Sequence, residues 1–138
     1  MRVLALLSLI LLLFACQQKT VRDDAYHQEL SRYVYAYSAG SIGRNDVVKV
    51  RFVDPAVGAD QVGKDADATL LALSPAITGR LYWEDERTLT LQPKEPLPYG
   101  KKYNAELALR KLFPGAPKSL STFPFEFRVR ELSYDVQI

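Results

Sequence analysis

The sequence predicts an all-β fold, an antiparallel Ig- or fibronectin III-like β-sandwich of about seven strands. Three observations predict it. Apolar and polar residues alternate with a period of two in successive segments between Val48 and Val129. Clusters of Gly, Pro, Asp and Ser separate those segments at short intervals. No stretch carries an unambiguous helical stripe. A chain of 138 residues, 48% hydrophobic and 25% charged, has the composition of one globular domain with one core.

The chain opens as a secretory signal peptide over residues 1–15, with Arg2 followed by an apolar run from Val3 to Ala15. At about 1.5 Å per residue that run makes roughly 20 Å of helix, against about 30 Å of bilayer hydrocarbon, so removal is expected rather than a permanent span. Leu13-Phe14-Ala15-Cys16 resembles a bacterial lipobox, although Phe14 is bulkier than the pattern. The resemblance implies cleavage before Cys16 and lipid attachment to it. Cys16 is the single cysteine, so no internal disulfide is possible, and acylation would remove a thiol otherwise carried into an oxidising compartment. Several acyl chains would hold the protein firmly, each buried methylene contributing about 0.8 kcal/mol. No Asp follows Cys16, which resembles retention at the outer membrane, and the expected location is the periplasmic side of that membrane in a bacterial cell envelope.

Residues 16–25 read as a lipidated tether and residues 26–138 as the sandwich domain. Tyr26–Tyr37 fits a helix through Leu30, Tyr33, Val34 and Tyr37, and a strand through Tyr33, Tyr35 and Tyr37, with tyrosine enrichment favouring a strand near its end. Ser38–Asn45 reads as a turn, with Gly40 and Gly43 available for positive φ. Val48, Val50 and Phe52 alternate with Lys49 and Arg51 until Asp54-Pro55 ends that strand. A polar loop over Ala56–Ala68 leads to a short apolar segment, Thr69–Leu73, halted by Ser74-Pro75.

Ile77–Trp83 and Arg87–Gln92 form an expected hairpin around a charged turn, Glu84-Asp85-Glu86. Pro93–Gly100 holds three prolines, which remove three amide donors, so it is a connecting loop. Tyr103, Ala105, Leu107 and Leu109 make the clearest strand, and a loop over Leu112–Thr122 leads to Phe123, Phe125, Phe127 and Val129. Burying Phe52, Trp83, Phe125 and Phe127 would contribute roughly 2–3 kcal/mol each. Alternation continues from Leu132 to Ile138, as though a further module begins there.

Little chemistry is visible. The net charge of +2 becomes +1 once Arg2 leaves, with 17 basic against 16 acidic residues, and the pairs Lys101-Lys102 and Arg110-Lys111 lack the clustered stripe of a nucleic-acid surface. His27 is the lone histidine and makes neither a metal site nor a triad. Glu84, Asp85 and Glu86 could be paired carboxylates, or join Asp65 and Asp67 around calcium. A turn role is preferred because consecutive carboxylates point in different directions and no loop of EF-hand spacing is present. Gly40-Ser41-Ile42-Gly43 lacks the Lys-Ser/Thr of a phosphate loop. The tyrosines are expected in packing rather than in a sugar-stacking surface. No catalytic site, cofactor or metal is expected.

Three pieces, SPAITG, the W-x-D-x-R-T-L run at Trp83–Leu89, and PLPYGKKY, together with YVYAYSAGSIGRND, VVKVRFVDPAV and FPFEFRV, resemble the first macroglobulin-type domain of bacterial alpha-2-macroglobulin lipoproteins. The resemblance covers about the whole chain after the leader. It implies a non-catalytic, lipid-anchored amino-terminal structural domain of a periplasmic protease inhibitor, whose partners would be further domains of a longer chain or a target protease. The thioester of that family cannot form here, because no cysteine follows Cys16. The same residues have fold-building roles: Pro75 and Gly79 bracket a turn, Trp83 fills the sandwich, Asp85 and Arg87 hold a hairpin end, and Gly100 turns the chain before Tyr103. The alternative expectation is a stand-alone Ig-like envelope lipoprotein that binds glycan or protein, which an exposed apolar or tyrosine patch would favour. An enzyme is the third and weakest reading.

Overall fold

A computed structural model describes residues 23–132. The signal peptide, Cys16, most of the tether and residues 133–138 lie outside the described residues. Among the described residues no helix is long and apolar enough to cross a membrane.

The chain divides between Arg32 and Tyr33 into two units. In the first, residues 23–30 are helical (α1), and the helix ends with Ser31 N–H donating to the His27 carbonyl at 3.0 Å. The two periods in the tyrosine-rich stretch therefore belong to different elements: a helix occupies its start and a strand its end.

The second unit is a sandwich of two four-stranded sheets. Its strands are β1 (Val34–Tyr37), β2 (Gly40–Ile42), β3 (Val48–Phe52), β4 (Leu71–Ser74), β5 (Gly79–Asp85), β6 (Thr88–Pro93), β7 (Lys102–Leu107) and β8 (Phe123–Val129). One sheet has the order β1-β3-β6-β5, and the other β2-β8-β7-β4. This is the strand order of an immunoglobulin-like sandwich whose first strand is divided between the sheets. Among the described residues all strand pairings are antiparallel except β2 with β8, which is parallel.

Alternation drives the assembly. In β8, Phe123, Phe125, Phe127 and Val129 are buried while Pro124, Glu126 and Arg128 are exposed, and β7 repeats the pattern with Tyr103, Ala105 and Leu107 inward. The core is aromatic as expected: Phe52 meets Trp83 at 6.2 Å and Phe113 at 5.4 Å between ring centroids, and Tyr103 stacks on Phe127 at 5.3 Å. Burial alone raises the Tyr103 phenol above its ordinary pKa. Hairpin β5–β6 and strands β3, β4, β7 and β8 lie where the periodicity put them.

Three expectations are corrected. Ser38–Asn45 is more than a turn, because Gly40, Ser41 and Ile42 pair in register with Phe127, Arg128 and Val129. Gly40 takes φ 67°, as anticipated, but Gly43 does not have positive φ. Leu109 does not extend β7. Ala108 N–H makes the last bond of the ladder, to the Leu70 carbonyl at 2.8 Å, and a single helical turn, α2 (Leu109–Leu112), follows with Leu109 still fully buried. Finally, Glu84 and Asp85 belong to β5, and only Glu86 and Arg87 form the turn.

Gly79 and Gly100 have specific tasks. A Cβ on Gly79 would collide with the Gln92 carbonyl oxygen and the Pro93 Cα, so the β5–β6 backbones approach this closely only with glycine there. Gly100 has φ 67°, which turns the chain into β7.

Candidate binding groove

The outer face of the β1-β3-β6-β5 sheet carries a connected set of polar side chains. Register places Lys49 opposite Thr90 and Arg51 opposite Thr88, all four pointing away from the core. Both threonines are nevertheless buried. What covers them comes from β5. Its pairing with β6 shifts between Trp83 and Asp85, and this irregularity brings Glu84 and Asp85 to the same face. The expectation that these neighbours diverge is thereby corrected, since the bulge turns both toward one face.

Glu84 Oε2 accepts from Thr90 Oγ1 at 2.9 Å and pairs with Lys49 Nζ at 2.7 Å. Asp85 accepts from the Arg87 amide at 2.7 Å and from Thr88 Oγ1 at 3.0 Å, and Arg51 lies 3.7 Å away. Arg87 in turn donates to the Val53 carbonyl at 2.7 Å, so Asp85 and Arg87 hold the hairpin end as expected. The Lys49 hydrogen bond, then that of Thr90, holds the Glu84 carboxyl below its ordinary pKa. For Asp85, burial is the largest influence and pushes upward, but the Arg87 amide, the Thr88 hydroxyl and Arg51 together outweigh it and the pKa is lowered.

This strip floors a groove of about 500 Å³ whose other wall includes Tyr37, Ser38, Ile42 and Val47. Ser38 is fixed to β3: its Oγ accepts from Lys49 N–H at 2.9 Å and its own N–H donates to the Lys49 carbonyl at 2.9 Å. Asp46, also lining the groove, accepts from Gly43 N–H at 2.6 Å. The Tyr37 ring is backed by Phe123 at 4.9 Å and Phe125 at 5.4 Å, yet stays 41% exposed. Its strand neighbour Tyr35 is 74% exposed.

The other candidates from the sequence take separate places. His27 is exposed on α1, with the Tyr26 ring 5.7 Å away. Asp65 pairs with Arg80 across β5, and Asp67 caps the turn at Ala68–Leu70 by accepting from Thr69 N–H at 2.8 Å. Neither joins Glu84 and Asp85, and no group of three His, Cys, Asp or Glu side chains suited to a metal gathers among the described residues. Lys102 pairs with Glu126 at 2.7 Å, and Lys111 donates to Thr69 Oγ1 at 2.7 Å. Tyr33 and Tyr103 pack on Phe113 and Phe127. Tyr37, Ser38, Asp46 and Lys49 escaped sequence reasoning as a set, because only the strand register assembles them.

No family model and no curated protein matches the chain. Solved structures do. An L,D-transpeptidase from Mycobacterium smegmatis is similar at 16% identity and a TM-score of 0.49, over 71% of this chain and 39% of that one. L,D-transpeptidase 3 from Mycobacterium tuberculosis follows at 15% and 0.46, over 71% and 37%. Another L,D-transpeptidase, from Mycobacterium tuberculosis H37Rv, matches at 16% and 0.43, over 72% and 41%. The chain thus spans about two fifths of the length of these structures, and the likeness assigns it no activity. These matches correct the expectation of an alpha-2-macroglobulin-type domain and of a periplasmic protease inhibitor, since the solved structures found are L,D-transpeptidases. The physical reason lies in the motifs that carried the resemblance: Gly79 fits a tight backbone approach, Trp83 fills the core and Asp85 ties a hairpin, which are fold-building roles that specify no activity.

Proposed function

We propose that this chain is a non-catalytic, lipid-anchored Ig-like module of the bacterial cell envelope, held through Cys16, which binds a glycan in the Tyr37 groove. The observation that carries the reading is the groove's composition: a rigidly backed, half-exposed tyrosine beside a floor whose charges are neutralised in pairs. A neutral polyhydroxylated ligand fits such a surface, with its apolar face on the ring and its hydroxyls on Ser38, Asp46, Lys49 and Arg51. About 500 Å³ lies within the range of small-ligand clefts. The state of the carboxylates supports the non-catalytic reading. A general acid working near neutral pH needs a raised pKa, whereas Glu84 and Asp85 are both lowered.

Titrating the chain with soluble tetrasaccharides of β-linked glucose or N-acetylglucosamine, followed by NMR, tests the groove. Resonances of Tyr37, Ser38 and Lys49 should move, and Tyr37→Ala should abolish the response while the rest of the spectrum is retained. No shift with any of these sugars, or shifts confined to another face, would remove the glycan reading. The anchor is tested separately by labelled fatty acid, which should appear on the chain and be lost in Cys16→Ser.

A further inference from the structure

The two edge strands on one side of the sandwich are treated differently. Beyond β5 the chain returns along residues 63–66: Gly63 N–H donates to the Trp83 carbonyl at 2.7 Å, Trp83 N–H to Lys64 at 3.1 Å, and Ala66 N–H to Leu81 at 2.9 Å. Asp65 bridges Tyr82, and the Arg80–Asp65 ion pair fastens the cover. The edge of β5 is therefore closed.

Among the described residues, strand β4 has no such cover. The Ala108 N–H bond to Leu70 fixes the phase of the ladder with β7, so Ala72 and Ser74 exchange hydrogen bonds with Glu106 and Asn104. The N–H and C=O groups of Leu71 and Leu73 then point outward, and they meet no hydrogen-bond partner among the described residues. Leu71-Ala72-Leu73-Ser74 also has none of the charges, bulges or internal prolines with which exposed edges are usually blunted.

A groove flanks this edge on each face. The inward one, about 210 Å³, is lined by the apolar side chains of Leu71, Leu73, Ile77 and Leu81. The outward one, about 410 Å³, is lined by Ala72, Ser74, Asn104, Glu106, Pro124 and Glu126, so it offers two carboxylates beside apolar surface. Glu126 already pairs with Lys102, whereas Glu106 makes no ion pair with any described residue.

We infer that β4 is a docking edge for an extended segment of a partner protein, added as a ninth strand. Alternate residues of such a strand face opposite sides of the sheet. Those on the inward side enter the apolar groove, and those on the outward side meet Glu106. The edge therefore selects a segment in which apolar residues alternate with Lys or Arg, the backbone supplying affinity and the two grooves specificity. This site is separate from the glycan groove, with which its two flanking grooves share no lining residue.

The test uses the full chain in detergent micelles and two capped hexapeptides, one alternating valine with lysine and the other valine with glutamate. With the lysine peptide, amide exchange at Leu71 and Leu73 should slow by about tenfold or more, as expected when a new ladder forms, and the glutamate peptide should do little. Glu106→Lys, an exposed change, should weaken the lysine peptide by about tenfold and favour the glutamate one. Leu73→Pro removes an outward N–H without breaking the β7 ladder and should abolish protection by either peptide; if it fails to fold, Glu106→Lys decides. Unchanged exchange at millimolar peptide, or equal response to both peptides, would overturn the inference. So would sedimentation showing that the chain dimerises through this edge, which would assign it to a second copy.

Discussion

The Thr90 hydroxyl, wholly buried on the outward side of β6, donates to the Glu84 carboxylate at 2.9 Å, so a residue the strand pattern directs toward water is sealed by its neighbour's charge. Lys49 completes the seal from β3. Removing the hydroxyl at nearly constant shape should cost about 1–2 kcal/mol, because hydrogen bonds to charged groups lie toward the upper end of the usual range. Urea denaturation of Thr90→Val measures it, with the denaturant slope expected to stay unchanged. A cost near zero would mean that the carboxylate is held by Lys49 alone.

The acid limb of stability follows from the same strip. Glu84 and Asp85 both have folded pKa values below their unfolded ones, so the stabilisation they contribute is fully present above the unfolded values, about 4.3 and 3.9, and is lost as the pH falls through the folded values. The unfolding midpoint should therefore begin to fall near about pH 4 and continue falling below it. With both side chains more than a third exposed, the slope will be shallow. Glu84→Gln should flatten it further, and thermal melts across this range compare the two proteins.

Two glycines should respond in opposite ways. At Gly79 a methyl group meets the Gln92 carbonyl, and Gly79→Ala should destabilise by about 2–3 kcal/mol through a forced separation of β5 and β6. At Gly115 a Cβ meets nothing within 4 Å and φ is not positive, so Gly115→Ala should be neutral or stabilise by up to about 1 kcal/mol. Equal losses at both would contradict the close-approach argument.

The aromatic layer should dominate the energetics. Phe127 is 1% exposed and stacks on Tyr103, and Phe127→Ala should cost about 3–5 kcal/mol, a large part of the stability of a domain of this size. Calorimetry should show a much lower melting temperature for this variant.

Side chains whose fate depends on local alternation were readable in advance. Phe123 to Val129 and Tyr103 to Leu107 are inward where a period of two puts them. Leu109 is also inward, but on a helical turn, since burial at alternate positions does not distinguish a strand's end from one turn of helix. Ile42 gave no signal because its partner, Val129, lies far along the chain and a three-residue strand shows no period. The groove was legible only in part. Tyrosine enrichment was visible, but the meeting of Lys49, Thr90 and Glu84 depends on register and on a bulge that sequence spacing does not reveal. The macroglobulin likeness failed for a related reason: its motifs record how a sandwich is folded, and that requirement is shared by domains with unrelated tasks.

The parallel seam between β2 and β8 has a mechanical consequence. Gly40, Ser41 and Ile42 run alongside Phe127, Arg128 and Val129 in the same direction, and the seam ends with Arg130 N–H on the Ile42 carbonyl at 2.9 Å. Tension between the two ends of the sandwich pulls these strands past each other, loading the whole row together instead of opening it one bond at a time. A domain clasped in this way resists stretching at the segments where its chain enters and leaves.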